Sequence, residues 1–132
     1  MKKKKVPALC PCGSQLDYKD CCGRFHEGMT APDALSLMKS RYSAFVQKRA
    51  DYLLKTWHES TRPCELDLSD PIKWLGLEIL SSEESDHEAH VAFVARGKIS
   101  GRAFKQIEKS RFIKENDQWY YVDGEVADEH AH

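Results

Sequence analysis

The sequence lacks any long hydrophobic run and any secretory leader. No apolar stretch approaches the roughly 20 residues that a transmembrane helix needs. The start contains four consecutive lysines, Lys2–Lys5, but no apolar region follows them, so we expect no secretory signal. These two absences predict a cytoplasmic protein that does not enter a membrane.

The common catalytic signatures are absent as well. The chain has no Gly-rich phosphate loop, no paired-histidine metal motif and no nucleophile elbow. It also has no internal repeat. We therefore favour a non-enzymatic function, with an enzyme as the alternative.

The net charge of the 132 residues is only -1, but basic and acidic residues are unevenly distributed along the sequence. Residues 1–28 contain six basic and three acidic side chains, whereas the remainder contains fourteen basic and eighteen acidic ones. A slightly acidic main domain argues against a nucleic-acid partner. The Lys2–Lys5 run is interpreted as a solvated tail. The length predicts one domain with a small appendage.

Cysteine is the residue type that is unusually concentrated. Four of the five cysteines fall within thirteen residues, as Cys-x-Cys, then eight residues, then Cys-Cys. In a reducing compartment such a cluster indicates a metal site rather than disulfides. Zn²⁺ favours four thiolates in a tetrahedron, and a closed shell of this kind makes the ion structural. We predict one structural Zn²⁺ per chain, bound by Cys10, Cys12, Cys21 and Cys22.

One alternative concerns the fourth ligand of this site. His26 lies four residues after Cys22 and could replace its thiol. Gly13 and Gly23 lie beside the two cysteine pairs, where the backbone must turn tightly and its N–H groups can face sulfur. Residues 1–28 are therefore predicted to form a loop-rich metal-binding segment, which we call the cysteine module.

The rest of the chain, residues 29–132, changes from helical to strand periodicity. Thr30 is predicted to cap a helix, with Asp33 completing a capping box. One buried helix face is then indicated by the spacing of Leu35, Met38, Tyr42, Phe45 and Val46. A second short helix is predicted to begin at Asp51.

Four strands are predicted after the helices, at about residues 75–82, 87–95, 104–114 and 118–123. The last two are joined at Glu115-Asn116-Asp117 as a hairpin. Helices followed by an antiparallel meander predict an α+β domain with the helices on one face of the sheet. The acidic tail after Gly124, which contains His130 and His132, is predicted to be frayed.

The third strand places a carboxylate on an apolar face. Phe104, Glu108 and Phe112 alternate onto one side, so Glu108 would point inward if the Phe side is buried. If Ile107 and Ile113 mark the buried side instead, Glu108 lies in solvent. An inward carboxylate needs a partner, and candidates are Arg41, His58 and Arg62. We favour a structural ion pair, with a ligand-binding carboxylate as the alternative.

A second polar group follows the short helix. Trp57, His58 and Arg62 fall within six residues and could line the mouth of a pocket for an anionic or aromatic ligand. Tyr42, on the first helix, is a further candidate. The other interpretation is that Trp57 fills the core and His58 contacts the end of its helix.

Several segments of the sequence resemble those of a known family. Cys10-Pro11-Cys12-Gly13-Ser14 and the segment around Cys21-Cys22-Gly23 resemble the SEC-C motif, named for the zinc-binding tail of the SecA translocase. Nearly the whole chain is similar to the YchJ family, through segments that include Arg41-Tyr42-Ser43-Ala44-Phe45, Thr56-Trp57-His58 and Trp119-Tyr120-Tyr121-Val122-Asp123. The resemblance implies a zinc module before a cone-shaped domain similar to nuclear transport factor two. Some similar proteins have a second SEC-C module, which this chain lacks, and no activity is implied.

Together these features predict a protein-interaction adaptor with an unidentified protein partner. The alternative is a small-molecule-binding or enzymatic cone with a pocket around Glu108, His58 and Arg62, with Arg41 and Tyr42 beside them. A homodimer is a further expectation, because curved sheets of this kind often pair.

Overall fold

The computed structural model describes residues 9–128, in which helices precede a four-stranded sheet. The Lys2–Lys5 run and the tail histidines His130 and His132 lie outside these residues. After a short 3-10 turn the elements are α1 (Cys22–His26), α2 (Ala34–Val46), α3 (Ala50–Lys55), β1 (Ile72–Glu84), β2 (Glu88–Ile99), β3 (Arg102–Glu115) and β4 (Gln118–Asp128). None of the described helices is long and apolar enough to cross a bilayer.

The sheet is an antiparallel meander in the order β1-β2-β3-β4, which confirms the predicted α+β class. The β3–β4 hairpin turns at Asn116 and Asp117, whose φ angles of 52° and 62° are those of a type I′ turn. The prediction of a frayed tail after Gly124 is wrong as far as Asp128. Backbone pairing continues along β3 to the end of β4, and it does not depend on the acidic side chains.

Bulges interrupt the pairing of both edge strands. The β1 register shifts between Trp74 and Gly76 and again between Ile79 and Ser81, and β4 has a shift opposite Arg111 and Phe112. An extra residue bends a strand and increases its twist. The concave face of the resulting sheet contacts α2, which leaves room for a cavity between them.

Helix α2 is buried on two sides. Leu37, Met38 and Tyr42 pack with Phe112 and other residues of the sheet. On its other side Ala44 joins a second cluster with Phe25 of α1 and with α3. The prediction of a single buried face for α2 is therefore incomplete. The cysteine module covers the opposite side of the helix, which would be exposed to solvent if α2 packed only against the sheet.

The start of α2 also differs from the prediction. Asp33 is itself the capping residue, since its carboxylate accepts a hydrogen bond of 2.7 Å from the Ser36 N–H. The prediction of Thr30 as the cap is wrong, because Thr30 precedes the first helical residue by four positions. Asp and Thr both suit this role, and periodicity does not choose between them.

Gly97 provides a test of the packing between β2 and the aromatic side chains of the concave face. A Cβ atom there would lie 2.9 Å from two ring carbons of Phe104 and 3.0 Å from the Lys73 carbonyl oxygen. We expect Gly97→Ala to lower the free energy of unfolding by about 1–3 kcal/mol, measured by urea denaturation. The matched control is Gly76→Ala in β1, where a Cβ meets no atom within 4 Å. Equal losses in both variants would contradict this packing.

Candidate functional site

Two short turns bring the four clustered cysteines together. Cys10 and Cys12 lie on a small loop closed by a bridge between Leu9 and Asp17 and by a 2.8 Å hydrogen bond from the Cys10 N–H to the Leu16 carbonyl. Cys21 and Cys22 lie where the 3-10 turn meets α1. The loop bends at Gly13, whose φ is +90°. At Gly23 a side chain is excluded, because a Cβ would lie 2.6 Å from the Tyr18 carbonyl oxygen.

The thiol geometry is suited to a metal ion. All four Sγ atoms lie within 4.8 Å of one another, and all four residues are buried. The sulfurs of Cys12 and Cys21 are 3.6 Å apart. A tetrahedron with metal–sulfur bonds of 2.3 Å has sulfur–sulfur edges of about 3.8 Å. The cluster can therefore bind one ion with four protein ligands and no open position.

Hydroxyl groups orient two of the sulfurs. The Ser14 hydroxyl donates a hydrogen bond of 3.0 Å to the Cys21 sulfur, and the Ser43 hydroxyl of α2 lies 3.4 Å from the Cys10 sulfur. Neither serine was among the predicted site residues. Ser14 follows the first cysteine pair by two positions and could have been found from the sequence. Ser43 has no local signal, since it is 33 residues from Cys10.

Hydrogen bonds among the clustered thiols, together with burial, shift the pKa values of several of them. A hydrogen bond from the Cys22 thiol lowers the pKa of Cys12, and the same bond, followed by burial, raises the pKa of Cys22. Burial also raises the pKa of Cys21. A cluster of buried thiols thus resists holding several negative charges unless a cation offsets them. This is the charge environment in which a divalent ion is stabilised.

His26 is occupied elsewhere, so the alternative that it replaces Cys22 as a ligand is not supported. Its Nε2 donates a hydrogen bond of 2.8 Å to the Ser40 carbonyl, and its Nδ1 accepts from the Tyr18 hydroxyl. Burial lowers the pKa of His26, in agreement with this neutral form. The imidazole therefore joins α1 to α2 and lies outside the group of four thiols that could hold a metal ion.

A cavity of about 360 Å³ lies between α2 and the concave face of the sheet. Of the predicted pocket residues, Arg41, Tyr42 and Glu108 line it. Ser110 and Phe112, which share the inward side of β3 with Glu108, are buried. Trp57, which the sequence offered either for a pocket mouth or for the core, also lines the cavity. Sequence reasoning did not assign several further aromatic side chains to it, among them Phe45, Trp74, Phe93 and Tyr121.

Glu108 is held by neighbours on its own strand rather than by the predicted basic partners. Its Oε2 accepts a hydrogen bond of 2.6 Å from the Ser110 hydroxyl, and its Oε1 accepts one of 3.1 Å from the Gln106 amide. No ion pair joins it to Arg41, His58 or Arg62 among the described residues. The favoured structural ion pair is therefore wrong.

His58 and Arg62 lie outside the cavity, so placing them with Glu108 was wrong. Trp57 forms a parallel bridge with Tyr121, and the next backbone N–H, that of His58, donates a hydrogen bond of 2.7 Å to the Tyr121 carbonyl. Trp57 faces the cavity, whereas His58 faces away and bonds to Glu115 at 3.1 Å. Arg62 is exposed beside a separate surface hollow.

Comparison with known protein families gives two matches, one to the cysteine module and one to the helices and the sheet. Residues 33–124 match the family described as the YchJ middle NTF2-like domain. Residues 7–24 match the SEC-C motif, a metal-binding motif, and include all four clustered cysteines.

Full-length relatives and solved structures agree with these matches. The chain is 54% identical over 130 residues to a UPF0225 protein of Bordetella parapertussis, covering 95% of this chain and 98% of that protein. It is 49% identical over 131 residues to one of Polaromonas naphthalenivorans, covering 88% and 96%. The solution structure of a SEC-C motif containing protein from Rhodopseudomonas palustris is similar, with a TM-score of 0.81, 32% identity and coverage of 92% of this chain and all of that one.

The His26 contacts predict a specific stability loss. We expect His26→Ala to lower the free energy of unfolding by about 2–3 kcal/mol at neutral pH, because it leaves a buried carbonyl and a tyrosine hydroxyl without their partner. His90→Ala is the control, since the His90 side chain is 35% exposed and its ion pair is with the exposed Glu88 side chain, so the loss should stay at about 0.5 kcal/mol. Thermal and urea unfolding measure both.

The same contacts predict a pH dependence with a definite sign. The pKa of His26 is lowered in the folded state, so its contribution is complete above the ordinary value of 6.5 and is lost as the pH falls through the lowered value. The difference in unfolding free energy between the wild type and His26→Ala should therefore shrink below pH 6.5. A difference that grows with acid would contradict the neutral, hydrogen-bonded imidazole.

Proposed function

Because this chain belongs to the YchJ family, with a SEC-C motif before an NTF2-like domain, we propose that it is a zinc-binding adaptor that docks a protein partner through its cysteine module. The observation that supports the proposal most directly is the buried cluster of four thiols. Since a closed set of ligands leaves no site for substrate, the ion serves to order a surface. The reducing cytoplasm, which we propose as the location, keeps the thiols free.

Zinc is the ion that this donor set favours. Four sulfur ligands in a tetrahedron select zinc or iron among the common metals. The neighbouring hydroxyl of Ser14 and the close approach of Ser43 support thiolate ligands in fixed orientations. When bound, the ion would supply much of the free energy that orders this short segment.

The exposed residues of the cysteine module include two leucines and show no basic surplus in the described part of the chain. Leu9 and Leu16, adjacent across the loop, are 60% and 52% exposed. Lys19 and Arg24 are offset by nearby acidic side chains, so the basic surplus predicted for this module comes from Lys2–Lys5, outside the described residues. Two exposed leucines on an ordered loop favour a protein partner with a complementary apolar surface.

The proposed zinc ion is tested by measuring the metal content of the protein and by absorption spectroscopy. Protein purified without chelator should contain one zinc per chain, and cobalt substitution should give the absorption of a tetrahedral thiolate site. We expect Cys22→Ser to lose the ion and to unfold at a temperature about 10 °C or more lower. Cys64→Ser is the matched control, because Cys64 is exposed and lies outside the cluster. Full metal content in Cys22→Ser would contradict the ligand set.

The adaptor function is tested with a pair of equally exposed leucines. Leu16 in the cysteine module and Leu80 in β1 are 52% and 51% exposed. We expect a crosslinked or co-purified partner to be retained by the wild type and by Leu80→Asp. Leu16→Asp should weaken its binding by at least about tenfold, since one buried leucine contributes roughly 1.5–3 kcal/mol. The metal-free Cys22→Ser variant should also fail to retain the partner. An unchanged set of partners in all variants would argue against the adaptor.

A further inference from the structure

Arg41 is a buried cation that forms no direct ion pair among the described residues. It is 5% exposed in the middle of α2 and lines the cone cavity. Its Nη1 donates to the Leu53 carbonyl at 2.8 Å and to the Thr56 hydroxyl at 2.6 Å. In residues 9–128, no group accepts a hydrogen bond from its Nε or Nη2, and no carboxylate pairs with it. A desolvated guanidinium in this state favours an added anion.

Aromatic rings fix the orientation of this guanidinium. Its central carbon lies 4.5 Å from the centre of the Tyr121 ring and 5.2 Å from that of Trp57. Burial lowers the pKa of Arg41 to about 10, so the side chain is still charged at neutral pH. The Nε and Nη2 groups, which make no hydrogen bond in residues 9–128, are the donors that a carboxylate in the cavity could use, and a guanidinium can bind a carboxylate through two such groups.

Glu108 supplies the opposite charge to the same cavity. Two hydrogen bonds, from Ser110 and Gln106, hold its carboxylate on the sheet instead of in contact with Arg41. A carboxylate can accept about four hydrogen bonds, so it can still accept a donor from a ligand. Lys48, Asp67 and Asp70 also line the cavity, but all three are exposed. Arg41 and Glu108 are therefore the charged lining residues that are withdrawn from solvent, and they do not pair with each other directly.

We propose that the cone cavity binds a small zwitterion with a flat apolar body, of the aromatic α-amino acid class. The carboxylate would bind Arg41, the ammonium group would bind Glu108, and the ring would pack among the aromatic side chains. A ligand with only a negative charge would face Glu108 unfavourably, and one with only a positive charge would face Arg41. The volume of about 360 Å³ lies within the range of small-molecule sites.

Three probes with one skeleton test the charge requirement on the full chain. L-phenylalanine has both charged groups, 3-phenylpropanoate lacks the amine, and phenethylamine lacks the carboxylate. We expect L-phenylalanine to bind with a Kd of about 1 mM or lower, and each of the others at least about tenfold more weakly. In NMR spectra the indole signals of Trp57 and Trp74 should shift, whereas that of Trp119, which does not line the cavity, should not.

Matched variants test the two residues. Arg41→Lys and Glu108→Gln should each weaken L-phenylalanine binding at least about tenfold. Arg96→Lys and Glu78→Gln, which alter an exposed ion pair, should leave it unchanged. Should Arg41→Lys not fold, Glu108→Gln decides alone, because it removes a charge at nearly constant shape. No saturable shift up to about 10 mM, ten times the expected Kd, would overturn the proposal. So would equal binding of the three probes, or binding unaffected by Glu108→Gln.

Discussion

The structure depends on the burial of helix α2 between two layers. On one side Leu37, Met38 and Tyr42 fill the concave face of the sheet. On the other side Ser40, Ser43 and Ala44 are fully buried, and these small side chains allow the cysteine module to approach the helix closely. The module is therefore part of the same packed body as the cone. An ion bound by the thiols would stabilise the helix that also forms the wall of the cavity.

This arrangement links two chemically different sites through one helix. Cys10 lies beside Ser43, and Arg41, two residues earlier on α2, faces the cavity. The cluster of thiols is buried and could hold a metal ion, whereas the cavity has room for a small molecule. Because both share a rigid element, a change in the ordering of the module would alter the wall of the cavity. The fold thus combines a cluster of four thiols with a ligand-sized space.

The sequence predicted those parts of the site that follow from local spacing. Alternation along β3 placed Glu108 on the same side as Phe104 and Phe112, because successive strand residues point to opposite faces, but it left open which side is buried. The error at His58 has a tertiary cause: backbone hydrogen bonds join the segment after α3 to Tyr121 of β4, and in this arrangement Trp57 lines the cavity while His58 contacts Glu115. The cap of α2 was wrong by three residues, since several polar residues there can serve as a cap.

What the sequence alone determined was the helix-then-meander order and the cluster of four thiols, because both depend on short spacings between neighbouring residues. Tertiary structure decided which polar groups meet. Ser43 approaches Cys10, His26 bonds to Ser40, and Glu108 bonds to its own strand instead of to Arg41. Contacts of this kind join residues far apart in the chain or depend on the curvature of the sheet. Periodicity predicts the face on which a side chain lies, but it does not predict which group that side chain contacts.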